Sequence, residues 1–291
     1  MAYERILYEK IEGNIAKVTM NRPEKRNALD YLMREEIQDA FIEADLDEEV
    51  RVIILAGAGK DFCAGHDQSG TGLHARGPII GRATTNKLTG MEAGFRREEY
   101  VDFKEGQALR NVSKPTIAMI QGNCYAGGWF RAAMCDLLVV SEDARFTDPL
   151  VQVGPAASEI LFHPYDLGFR RAKEILWLGD PITAQEAKQL GMVSRIFPRE
   201  KLEEETLALA RRIAASPPVS VSLIKRSINQ AWDLMGQKNA WEYHMLAHQL
   251  SHASDEAKRL QEARKQAVQR GGVKEMLKTV RDATFEDKGK S

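Results

Sequence analysis

Two apolar runs, VRVIILAG at residues 50–57 and PTIAMIQG at 115–122, are each followed, after AGK and after Asn123, by a glycine-containing turn, DFCAGHDQ and CYAGGWF. A run without polar alternation must be covered on both faces, as in a parallel sheet flanked by helices. Upstream of the first run, RILYEKIEGNIAKVTMNRP alternates apolar and polar residues on both sides of EGN and reads as a β-hairpin ending at Pro23. Asp30 then stands where it can cap YLMREEIQDAFIEAD, whose apolar residues recur at helical spacing. The second run leads through its turn to a helix from about Gly128 and the strand DLLVVS at 136–141. The β–α–β unit is used twice, so the expected class is α/β.

Beyond Asp166 helical periodicity dominates, through RRAKEILWLG, TAQEAKQLG, REKLEEETLALARRIAAS and SVSLIKRSINQAWDLMG, punctuated by Pro217 and Pro218. The expected organisation is a core over residues 1–200 followed by a helical region over 201–291. Residues 68–96, with Gly70, Gly72, Gly77, Gly81, Gly90 and Gly94, read as a long loop, either a surface insertion or a lid. In the tail, DEAKRLQEARKQAVQRGGVKEMLKT reads as a charged helix broken at Gly271 and Gly272.

Charge narrows the function classes. With 41 basic against 42 acidic side chains, the chain offers no electrostatic case for nucleic acid. The opening MAYERILYEKIEG is charged and no run of about 18 apolar residues occurs, so a cytoplasmic protein with no membrane partner is expected. Cys63, Cys124 and Cys135 lack metal spacing and read as buried reduced thiols.

A glycine turn that opens a helix leaves backbone N–H groups pointing outward. Two such turns aimed at one point would hold a developing oxyanion; taken singly, each also reads as tight strand-to-helix packing. Together with NRPEKRNALD, the two turns and LGDPITAQEAKQLGMVSRIFP resemble the crotonase superfamily, the enoyl-CoA hydratase and isomerase family, over nearly the whole chain. The resemblance implies a spiral of β-β-α turns with a C-terminal helical trimerisation region. It also implies an acyl-CoA thioester as partner, and a homotrimer or dimer of trimers. No metal or separate cofactor is implied, since coenzyme A arrives as part of the substrate. The thioester carbonyl would be gripped by the N–H groups of His66 and Gly127, each donor stabilising the transition state by roughly 3 kcal/mol. Gly127 would be bare to leave room for the thioester. Lys25, Arg26, Ala28 and Ala64 would line the CoA entrance, with Arg26 meeting phosphate.

The resemblance also exposes a departure. Hydratases of the family carry glutamates at the positions of Phe130 and Leu150, and neither residue here titrates. Other branches place an acid on the turn VGPAASEILFH, which makes Glu159 the candidate acid. Its alternative is a carboxylate at a helix N-terminus. Asp148 is a second candidate, with a turn-forming role as its alternative. Asp67 reads as a loop-shaping residue, and the His66 imidazole as either solvated or touching substrate. Tyr125, Trp129, Phe130 and Leu150 read as pocket walls or as core. Arg131 is expected to pair with Asp136 or Glu159, or to hold an acyl carboxylate. His244, His248 and His252 stack on one helical face; this reads as a subunit contact or solvated stripe, with a metal site as the alternative that lacks an acidic partner in the local pattern. The expected activity is that of an isomerase or atypical hydratase. Its alternatives are an acyl-CoA hydrolase and a non-catalytic acyl-CoA-binding protein.

Overall fold

The computed structural model describes residues 3–67, 90–153, 156–260, 262–263 and 266. The expected hairpin is present as β1 (Ile6–Ile11) and β2 (Ile15–Met20), antiparallel with Ile6 opposite Met20. Helix α1 (Tyr31–Leu46) starts at Asp30, whose carboxylate accepts the Met33 N–H at 2.8 Å and satisfies a donor the helix cannot. It returns the chain to β3 (Val52–Gly57), parallel to β2.

The next described stretch is helical throughout: α2 (Gly90–Glu98), a π-helical segment (Glu99–Lys104) and α3 (Glu105–Asn111). Residues 90–96, expected in the long loop, therefore belong to a helix, and Phe95 packs against the core. A local glycine count misses this because the docking of Phe95 is a tertiary contact. The question of a lid falls on residues 68–89, outside the described residues. β4 (Thr116–Ile120), β5 (Asn123–Tyr125), α4 (Gly127–Ala133), β6 (Leu137–Ser141) and β7 (Arg145–Thr147) complete the second unit.

β1, β2, β3, β4, β6 and β9 (Arg195–Phe197) form one sheet in that order, parallel except at the hairpin. β5, β7 and β8 (Ile182–Thr183) form a smaller one. The side chains of the larger sheet alternate between two cores. Ile53, Leu55, Ala118, Ile120, Leu138 and Val140 face one side with α1 and α4, whereas Val52, Ile54, Ile117, Met119 and Val139 face the other. That second face is covered by Leu202, Ala210 and Ala214 of α9 (Leu202–Ala214), a helix lying past residue 200. Two buried faces explain the unbroken apolar runs, each fully buried Leu or Ile contributing about 1.5–3 kcal/mol.

After α5 (Leu150–Val153), α6 (His163–Leu167), α7 (Phe169–Leu178) and α8 (Ala184–Gln189), α9 leads into α10 (Pro218–Leu234) and α11 (Gln237–Ala253). The last two helices leave Leu223, Ile224, Ile228, Tyr243, Leu246 and Leu250 exposed. Residues 255–260 are helical, and the expected break at Gly271 and Gly272 lies outside the described residues. Among the described residues no helix is long and apolar enough to cross a membrane. The three cysteines are buried and free.

Candidate active site

The two glycine turns are stitched together. Cys63 bridges to Cys124, with Cys63 N–H donating to Asn123 O at 3.0 Å and Tyr125 N–H to Cys63 O at 2.9 Å. Leu29 bridges to His66, and Ala64 N–H donates to Arg26 O at 2.9 Å, so the NRPEKRNALD segment lies along the first turn. Asn27 fixes that contact: its fully buried amide reaches the carbonyls of Ala58, Asp61 and Phe62 at 2.8, 2.9 and 3.1 Å. Arg22 ties Asp67 at 2.9 Å, in keeping with a loop-shaping role for that aspartate.

Helix α4 begins after Ala126, which sits at φ 41 and ψ −109, a region costly for a residue with a Cβ. The N–H of Gly127, first in the helix, has no acceptor among the described residues. A Cβ on Gly127 would come within 2.6 Å of the His66 imidazole, and one on Gly128 within 2.5 Å of Cys63 Cβ. The bare backbone at Gly127 thus makes room for an imidazole from the first turn.

Behind that imidazole lies a buried charge cluster. Arg34 holds both oxygens of Asp102 at 2.9 and 2.8 Å, and Arg131, fully buried, holds Asp102 at 2.8 Å and also pairs with Glu105. Arg131 therefore meets neither expected acid: Asp136 is engaged by Thr116 and Lys225 instead. Burial pushes Asp102 upward, but the Arg34 and Arg131 guanidiniums outweigh it and hold the carboxyl well below its ordinary value. His66 Nε2 stands 3.5 Å from Asp102 and 3.4 Å from Arg131, and Nδ1 stands 3.6 Å from Glu159 Oε1. Burial and the Arg34 and Arg131 charges lower the affinity of His66 for a second proton, so the ring is neutral.

Glu159 is the acid that faces this ring. It is buried, and its Oε2 has no hydrogen-bond donor among the described residues. Two guanidiniums and two carboxylates already balance nearby, so a further negative charge would be uncompensated. Burial and the Asp102 charge accordingly push Glu159 up to about 8. Its helix-terminus alternative does not hold, because residues 156–160 form a bend and α6 starts at His163.

Asp148 has a different place. Its buried carboxylate accepts from Ser158 N–H at 3.1 Å, Ser158 Oγ at 2.7 Å and Leu150 N–H at 3.2 Å, with His163 Nε2 3.3 Å away but not aligned to donate. Burial acts against ionisation, yet His163 and these donors keep its pKa lowered. Asp148 thereby clamps the residue before Glu159, and His244 Nε2 meets the Ser158 carbonyl at 2.9 Å from the other side.

Trp129 and Phe130 are fully buried. Trp129 packs on Phe146, Phe162 and His163 at ring-centre distances of 5.5, 5.4 and 5.1 Å, while Phe130 abuts Gly106 of α3. The structure places both in the core. Tyr125 is half-buried beside the turn, and Leu150 packs against Leu260. Lys25 and Arg26 are exposed, with Arg26 Nε 3.7 Å from Asp61, and Ala28 and Ala64 are half-buried between them and the turn. A pocket of about 380 Å³ lined by Arg51, Lys114 and Val219 contains none of these groups.

Residues 10–270 match the enoyl-CoA hydratase/isomerase family. The chain belongs to that family. The protein named "Putative enoyl-CoA hydratase EchA13" of Mycobacterium tuberculosis (strain ATCC 25618 / H37Rv) is 40% identical over 259 residues, covering 86% of this chain and 81% of that one. An enoyl-CoA hydratase/isomerase of Xanthobacter autotrophicus Py2, solved by crystallography, is 32% identical with a TM-score of 0.84, covering 98% and 99% of the two chains. The spiral α/β fold is thus that of the enoyl-CoA hydratase/isomerase family, and the chain is an acyl-CoA enzyme in this broad sense.

Within that family frame, the sequence pointed to the two turns and to Glu159. It missed Arg34, Asp102 and Glu105. Asp102 and Glu105 lie in EEYVDFKEGQALR, where dense charge reads as a solvated face; only the apolar Val101 and Phe103 on either side of Asp102 hinted at burial.

Proposed function

We propose that the chain forms an enolate from an acyl-CoA thioester, with Glu159 moving the proton. The observation that carries this reading is Glu159 itself: buried, with one oxygen unengaged, 3.6 Å from the imidazole that covers Gly127. The N–H groups of His66 and Gly127 hold the thioester oxygen, where charge accumulates as the acyl C–H bond breaks. The Glu159 carboxylate takes that proton, and the resulting acid returns it to the far end of the shifted double bond. No atom is lost, so the reaction is an isomerisation. Hydration needs groups that position water, and Phe130 and Leu150, the positions matched to the hydratase glutamates, supply none. A value near 8 keeps the basic form accessible close to neutral pH while making it a stronger base than an ordinary carboxylate.

Lys25, Arg26, Ala28 and Ala64 form the CoA entrance in this reading, and the protein works in the cytoplasm. The apolar faces of α10 and α11 support assembly into a trimer or a dimer of trimers; a monomer in light scattering at micromolar concentration would contradict that. Deuterium exchange into the acyl chain of unsaturated CoA thioesters, followed by NMR, tests the chemistry, with exchange expected and crotonyl-CoA hydration weak or absent. Tight binding without exchange or turnover across a panel of thioesters would favour a non-catalytic acyl-CoA binder.

A further inference from the structure

The histidine stripe on α11 is buried over two of its three members and has an acidic neighbour. His244 and His248 are buried, and the C-terminal end of α2 brings Glu98 against the stripe. The Nε2 atoms of His248 and His252 stand 3.1 Å apart, with Glu98 Oε2 3.4 Å from the first and Oε1 3.9 Å from the second. Three donor atoms from two helices therefore converge on one point.

We propose that Glu98, His248 and His252 bind a divalent transition-metal ion of the zinc class, outside the proposed reaction centre. Ligands held 2.0–2.1 Å from a tetrahedral zinc ion stand roughly 3.3 Å from one another, close to the spacings seen here. Histidines at i and i+4 share a helical face, so α11 presents two imidazoles in fixed register. Two imidazoles and one carboxylate suit zinc better than magnesium or calcium, which prefer all-oxygen sets. Gln249 donates to Glu98 Oε2 and orients the carboxylate, the outer-shell support a metal ligand needs. His252 is 39% exposed, which gives an ion a way in and leaves a coordination position for water.

A second convergence, His66 with Asp102 and Glu159, is the weaker candidate. Arg34 and Arg131 already hold Asp102, and two guanidiniums there oppose a cation. Glu98 is engaged by Gln249 and the two histidines.

The full-length protein, stripped with a chelator and titrated with Zn²⁺ by calorimetry and with Co²⁺ by visible absorption, tests the site. One equivalent per chain is expected, with tetrahedral Co²⁺ bands and shifts of two imidazole Nε2 resonances in long-range ¹H–¹⁵N spectra. His252→Gln and Glu98→Gln each remove one ligand and should weaken binding at least tenfold. Circular dichroism of both variants establishes that they fold. His252→Gln is the safer of the two because its side chain is partly exposed. Less than one equivalent bound by the wild type, or equal affinity in wild type and both folded variants, would overturn the proposal.

Discussion

The strand end after β7 and the bend before α6 each bury one acid, and the two have opposite fates. Asp148 accepts three hydrogen bonds and keeps a lowered pKa, whereas Glu159 has an oxygen with no donor among the described residues and is pushed up to about 8. Burial is common to both, so burial alone does not make a reactive acid. The number of donors decides whether the charge is stabilised in place or the proton is retained. Asp148 uses its donors to hold Ser158, so the silent acid positions the responsive one.

Exchanging the two amide substitutions should separate these roles. Glu159→Gln should lower acyl-proton exchange by about 10²–10⁴-fold with the fold intact, the range for removing a general acid–base group. Full exchange in that variant would move the chemistry elsewhere. The next effect is on stability. Glu159 has a raised folded-state pKa, so its contribution is fully present below about 4.5 and falls away as pH rises towards about 8. In denaturant unfolding, Glu159→Gln should therefore gain on the wild type between pH 5 and 8, by at most on the order of 4 kcal/mol, since a tenfold change in proton affinity is worth about 1.36 kcal/mol. A constant difference across that range would break the contrast with Asp148.

Asp148→Asn should cost about 2–3 kcal/mol in denaturant unfolding, because an amide nitrogen would face donors it cannot accept from. Its exchange activity should fall far less than that of Glu159→Gln; the reverse order would mean the acid is Asp148. The smallest effect is expected at the exposed entrance, where Arg26→Ala should weaken CoA-thioester binding by less than about 1 kcal/mol and flatten its salt dependence. Calorimetry that shows neither change would remove Arg26 from the site.

Much of the fold was legible because it rests on local pattern. The alternation around EGN, the Asp30 cap and the unbroken run before Gly57 each name their element, and the structure returns them. The glycine turns were legible for the same reason. The charge cluster was not, because Asp102 is buried only by virtue of Arg34 from α1 and Arg131 from α4, both distant in sequence. Arg131 shows the difficulty most clearly: its nearby acid Asp136 is already satisfied, and its real partners lie on the helical stretch that follows the glycine-rich segment. The histidine stripe was visible as a stripe, but its burial and Glu98 came from the packing of α2 on α11.

The central claim is that Glu159 is the poised acid, and the pH profile of acyl-proton exchange tests it most directly. Wild-type exchange should rise with pH to a plateau with a midpoint near 8, the value to which burial and Asp102 push Glu159. Glu159→Gln should lose that ascending limb along with the rate. A wild-type profile flat from pH 6 to 9, or the same limb surviving in Glu159→Gln, would contradict the account.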